Sequence, residues 1–163
     1  MSKNKEIQCV ILAGGRGTRL DGKGKYSQIL CNKTLLEHVV DRLSIQTSNI
    51  AINFHKDKPE MRKKHIIILD KYNNVGPLAG IHAAISFCID NIKIKEGLVV
   101  TVPVDTPFIP YNLISRFEKE IERTKSNIVV ACSGDRHHPT IAMWKTSVIE
   151  KLENSIKNNV RKI

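Results

Sequence analysis

Gln8-Cys9-Val10-Ile11-Leu12-Ala13-Gly14-Gly15-Arg16-Gly17-Thr18-Arg19-Leu20-Asp21-Gly22-Lys23-Gly24-Lys25 is a nearly unbroken apolar run that breaks into glycines and cations. Gln8–Leu12 has the pattern of a strand buried on both faces. From Leu12 to Lys25, five of fourteen residues are glycine. Glycine lets the backbone come close to a ligand and turn its N–H groups toward phosphate oxygens. Arg16, Arg19, Lys23 and Lys25 add charge-assisted donors. A strand feeding such a loop is a phosphate-binding element; the alternative is a solvated basic loop. Two familiar loops fit poorly. A dinucleotide fingerprint begins at Gly15-Arg16-Gly17, but Leu20 stands where its last glycine belongs. A P-loop spans Gly17 to Lys23, but Gly24 replaces the hydroxyl that would meet a metal.

Working outward, short apolar runs alternate with amphipathic stretches. The 3.6-residue spacing of Leu35, Leu36, Val39, Val40 and Leu43 predicts a helix over Thr34–Ser44. Asn49–Asn53, Ile66–Leu69 and Gly97–Val102 read as strands. Pro77 opens a helix running to about Ile89, because proline in a first turn loses no hydrogen bond. Tyr111–Thr124 and Ser147–Lys157 read as helices. Asn127–Ala131 and Thr140–Trp144 read as strands joined by the polar turn Ser133–His137. This order predicts an α/β fold, a mostly parallel sheet in three layers with helices on both faces. In such sheets ligands lie beyond the carboxyl ends of the strands. Gly14–Lys25, Asn53, Asp70 and Asp105 all follow strands and are expected to converge on one cleft.

The 163 residues suit one domain, 1–163. No run approaches the roughly 18–20 apolar residues that cross a bilayer, and no signal segment precedes the first strand, so a cytoplasmic protein is expected. The net charge of +10 suits anionic partners, although Lys-rich background composition supplies the same number. No basic tract interleaves with aromatics, which argues against nucleic acid as a partner. The four cysteines, Cys9, Cys31, Cys88 and Cys132, form no C-x-x-C pair and read as reduced structural thiols.

The glycine loop resembles the nucleotidyltransferase signature L-A-G-G-x-x-x-R-[ML]-x-x-x-x-K at Leu12, Ala13, Gly14, Gly15, Arg19, Leu20 and Lys25. Gly76-Pro77-Leu78-Ala79-Gly80, Val104-Asp105-Thr106-Pro107-Phe108-Ile109-Pro110 and His138-Pro139-Thr140-Ile141-Ala142 follow in order. With the loop, they resemble the molybdenum cofactor guanylyltransferases, from about Ile7 to Trp144. The resemblance implies a Rossmann-like nucleotidyltransferase fold. It implies transfer of GMP from GTP to the terminal phosphate of molybdopterin, with release of pyrophosphate and Mg²⁺ as cofactor. By position, Leu12, Ala13, Gly14 and Gly15 would contact the nucleotide and Lys25 its phosphates. Asn53, Asp70 and Gly80 would contact nucleotide or base. Asp105 would bind both nucleotide and metal, and Arg19 would act with Lys25 and Asp105 in catalysis. Molybdoenzymes or cofactor-delivery proteins are implied as later partners, and the chain as a monomer or weak oligomer.

Local readings compete with these roles. Asp105 before Thr106-Pro107 could cap a turn, Asp70 could start one, and Asn is common at strand ends. His137 and His138 suit a surface or second-substrate role, and Trp144 and Phe108 suit the core. Gly24 stands where the family has Asp, Gly17-Thr18-Arg19 is closer to sugar-nucleotide pyrophosphorylases, and the family's Asn-Thr-Pro-containing C-terminal segment has no match here. Sugar-1-phosphate or cytidylyl transfer, or a catalytically silent nucleotide-binding module, are the rival functions.

Overall fold

The computed structural model describes residues 7–14, 24–92 and 96–158, and every structural statement below concerns these. The strands are β1 (Ile7–Leu12), β2 (Ile29–Leu30), β3 (Lys33–Thr34), β4 (Ile50–Phe54), β5 (Ile66–Leu69), β6 (Leu98–Pro103), β7 (Ile128–Ser133) and β8 (Arg136–Lys145). The helices are α1 (Leu35–Ser44), α2 (Pro77–Ile92), α3 (Leu113–Thr124) and α4 (Ile149–Lys157). Six strands form one sheet in the order β5-β4-β1-β6-β8-β7, and β2 pairs with β3 in a separate ribbon. β5, β4, β1 and β6 run parallel, while β8 is antiparallel to both β6 and β7.

The alternation along β1 shows why both sheet faces are covered. Cys9 and Ile11 pack with Leu36, Val39 and Leu43 of α1 and with Leu113, Phe117 and Ile121 of α3. Val10 faces the other way, among Ile81, Ala84, Ile85 and Cys88 of α2, next to Val148 and Leu152. The chain crosses from β1 to β4 in one direction and from β5 back to β6 in the other. Right-handed crossovers in opposite directions put α1 and α2 on opposite faces. The three-layer α/β expectation holds.

Boundaries moved for local reasons. Thr34 is the cap of α1, not its first residue. Its hydroxyl accepts from the Glu37 N–H while the Glu37 carboxylate accepts from the Thr34 N–H, a capping box. The β7–β8 turn is shorter than Ser133–His137, since Ser133 still pairs with Arg136. The pairing slips between Val130, opposite Ala142, and Ala131, opposite His138, which leaves Pro139–Ile141 outside regular register. Trp144 is core, its indole N–H donating to Thr101 Oγ1 at 2.9 Å. Phe108 is not: it is 73% exposed, with the Arg42 guanidinium 6.0 Å from its ring centre and 4.1 Å from that of Tyr111.

Candidate active site

β1 has β4 on one side and β6 on the other, so the connections leaving β1 and β6 diverge and open a crevice at the carboxyl edge. Ladder bonds continue past the strand ends there: Ala13 N–H to Asn53 O at 2.9 Å, Val104 N–H to Leu12 O at 3.1 Å and Asp70 N–H to Phe54 O at 3.2 Å. They set the four loops side by side around a cavity of about 860 Å³. Leu12, Ala13, Gly14, Lys25, Asn53, Asp70, Gly80 and Asp105 all line it. Of the residues singled out in the sequence, Gly15, Arg16, Arg19, Leu20 and Lys23, with the rest of 15–23, lie outside the described residues.

At one end Lys25 Nζ donates to Asp105 Oδ2 at 2.6 Å. Lys25 begins a single 3-10 turn after Gly24, and Asp105 follows β6, 80 positions later. Both side chains are nearly half exposed, so the pair adds only ~0–1 kcal/mol to stability. Its consequence is geometric: a cation and a carboxylate from distant parts of the chain are held at one point. The carboxylate partner that Gly24 does not supply thus comes from Asp105. A side chain at position 24 would also press on Tyr26, whose ring carbons lie 2.8–2.9 Å from where a Cβ would stand.

At the other end a second carboxylate is clamped. Asn53 Nδ2 donates to Asp70 Oδ1 at 2.8 Å, and His55 Nδ1 lies 3.3 Å from Asp70 Oδ2. A carboxylate only accepts, so His55 carries its proton on Nδ1. Gly80, in the first turn of α2, lets the helix approach this pair; a Cβ there would stand 2.6 Å from Asn53 Oδ1 and 3.0 Å from Leu12 Cδ2. The cleft therefore carries a cation at one end and a fixed carboxylate acceptor at the other.

His55 and Tyr72 also line the cavity and escaped the sequence reading, and Thr140, quoted there only as part of a motif, lines it too. His55 lies directly after β4 and Tyr72 two residues after Asp70, so the strand-end rule could have found both. Thr140 sits where β8 leaves register with β7, which no local signal marks. His138 lies outside the lining; its Nε2 is 3.0 Å from Ser133 Oγ, across the hairpin. Among the described residues, no three His, Cys, Asp or Glu side chains gather to hold a metal, and no helix is long and apolar enough to cross a membrane.

The sequence model of the MobA-like NTP transferase domain family matches residues 9–163. A molybdenum cofactor guanylyltransferase from Haemophilus influenzae (strain 86-028NP) is 32% identical over 159 residues, 96% of this chain and 80% of that protein. One from Rhizobium leguminosarum bv. trifolii is 38% identical, covering 91% of this chain and 68% of its own. The crystal structure of molybdopterin-guanine dinucleotide biosynthesis protein A from Archaeoglobus fulgidus superposes with a TM-score of 0.75 at 26% identity, over 95% of this chain and 75% of that one.

Proposed function

The chain belongs to the MobA-like NTP transferase domain family, and on that premise we propose that it transfers GMP from GTP to the terminal phosphate of molybdopterin, releasing pyrophosphate. The observation that carries this reading is the meeting of Lys25–Asp105 and Asn53–Asp70 in one cleft at the carboxyl edge of the sheet. An oxygen of the acceptor phosphate attacks the α-phosphorus of GTP. A new P–O bond forms as the bond to the β-phosphate oxygen breaks, and pyrophosphate leaves with that electron pair. The attacking oxygen is already anionic near neutral pH, so no protein base is needed. The protein's work is positioning and charge neutralisation.

Lys25 binds the phosphate chain. The backbone of Leu12, Ala13 and Gly14 and the first turn of α2 at Gly80 form the nucleoside wall, with Asn53 and Asp70 facing the base. The donor set suits Mg²⁺: Asp105 is a single hard carboxylate in a cleft sized for a polyphosphate. Mg²⁺ keeps several waters and shares its remaining positions between one or two carboxylates and substrate phosphates. When bound, it would neutralise charge developing on the phosphates. Incubation with labelled GTP, molybdopterin and Mg²⁺ tests the proposal; formation of the dinucleotide supports it, and transfer from CTP in preference to GTP would reject it.

A further inference from the structure

Tyr72 stands in the loop between β5 and α2, two residues past Asp70, half-buried and lining the cleft. Its ring centre lies 4.8 Å from that of His82, with the planes at 84°, an edge contact. His82 belongs to α2, two residues beyond Gly80, and its side chain is 2% exposed. Its Nε2–H donates to Glu153 Oε1 on α4 at 3.0 Å. Nδ1 is buried and has no hydrogen-bond partner. An unmet buried acceptor costs folding ~1–3 kcal/mol, so an apolar side chain would serve the core better at this position. What the imidazole provides is a rigid link: one edge tied to α4, the ring against Tyr72.

The cleft is polar in a graded way. Lys25 and Asp105 mark the end at β6; Tyr72, Val75, Pro77 and Ala79, from the segment that follows Asp70 and β5, add apolar lining. Between β5 and β6 lie β4 and β1, three strand spacings or about 14 Å. That is the scale of a nucleoside with its phosphate chain rather than of a phosphate alone. An aromatic ring at the end away from the cation is where a base would lie.

We infer that Tyr72 is the platform on which the nucleotide's base stacks, and that His82, fixed by Glu153, is the positioning residue for that ring. The inference rests on reading the cleft as a nucleotide site. Stacking favours the larger π-face of a purine, so Tyr72 contributes to the choice of GTP over CTP. Calorimetric binding of GTP, CTP and inorganic tripolyphosphate to the wild type, Tyr72→Phe and Tyr72→Leu tests it. Tyr72→Phe should bind GTP as the wild type does. Tyr72→Leu should bind GTP roughly five- to hundredfold more weakly, with a smaller loss for CTP. Its tripolyphosphate affinity should be unchanged. His82→Leu should weaken GTP binding when Tyr72 is present and have no further effect in Tyr72→Leu. If His82→Leu does not fold, Glu153→Gln takes its place, with a smaller loss and the same silence in Tyr72→Leu. Equal GTP affinity in Tyr72→Leu and wild type overturns the platform, and additive losses overturn the role of His82. A wild type that binds no GTP overturns the functional reading itself, a different outcome.

Discussion

Gly80→Ala probes the cleft with one methyl group. The added Cβ would stand 2.6 Å from Asn53 Oδ1, so that oxygen must retreat by roughly 0.8 Å to reach ordinary contact at 3.4 Å. Asn53 is 2% exposed, so its side chain is confined by its neighbours except toward the cleft it lines. A displacement of that size disturbs the amide whose Nδ2 makes the 2.8 Å hydrogen bond to Asp70. Overpacking costs ~1–3 kcal/mol, and a lost bond to a charged acceptor ~1.5–3 kcal/mol. Against these, alanine in a helix gains up to ~1 kcal/mol over glycine. Net destabilisation is on the order of 1.5–6 kcal/mol, a fall in melting temperature of ~2–4 °C per kcal/mol for a chain of this size. GTP affinity should fall about tenfold or more as Asp70 loses its orientation. Thermal melts and calorimetric titration with GTP read both effects. Placing the change in an Asn53→Ala background should remove most of the stability cost, since the clashing oxygen is gone. A Gly80→Ala protein that melts no lower than wild type and binds GTP as tightly refutes the reasoning.

Asp105→Asn should abolish turnover by at least ~100-fold. Its melting temperature should move by only ~0–4 °C, because the ion pair it breaks is largely solvated; activity assays and melts check this. Burial pushes the Cys9 thiol up to about 12 and the Cys88 thiol up to about 11, while Cys31 and Cys132 are exposed. Iodoacetamide at pH 8 should therefore modify Cys31 and Cys132 in the folded protein and all four cysteines after denaturation, as counted by mass spectrometry. The hydrogen bond from His82 holds the Glu153 carboxyl below its ordinary range. Its stabilising contribution is then full above the usual Glu value of ~4.3 and lost as pH falls through the lower folded value. Melting temperatures of the wild type and Glu153→Gln should differ by a constant amount from about pH 5 to 7 and converge below about pH 4; a gap that widens in acid would contradict the bond's direction.

The parallel core was legible because its strands are buried on both faces: Gln8–Leu12 and Gly97–Val102 are almost wholly apolar, with Gln8 and Thr101 the polar exceptions. β8 was half seen. Its first residues, Arg136-His137-His138-Pro139, carry polar side chains and a proline, so Arg136 and His137 read as turn and the strand as starting at Thr140, although Arg136–His138 pair with β7. The β2–β3 ribbon was missed because its turn has no glycine; Cys31 and Asn32 take φ of 47° and 65° instead. Phe108 read as core from its apolar neighbours, and only the fold brings Arg42 alongside to hold it at the surface. The strand-end rule found both carboxylates of the cleft, since Asp70 and Asp105 each follow a buried strand. It could not find the partners. That Lys25 meets Asp105, and that Tyr72 rests on a histidine tied to α4, depends on loops and helices far apart in sequence.

The most direct measurement of the central claim is single-turnover transfer from α-labelled GTP to molybdopterin with Mg²⁺, run beside Asp105→Asn. The account expects labelled dinucleotide and an equal amount of pyrophosphate from the wild type, and neither from the variant. GTP bound tightly by both proteins, with no product from either, would contradict it and leave a catalytically silent nucleotide-binding module.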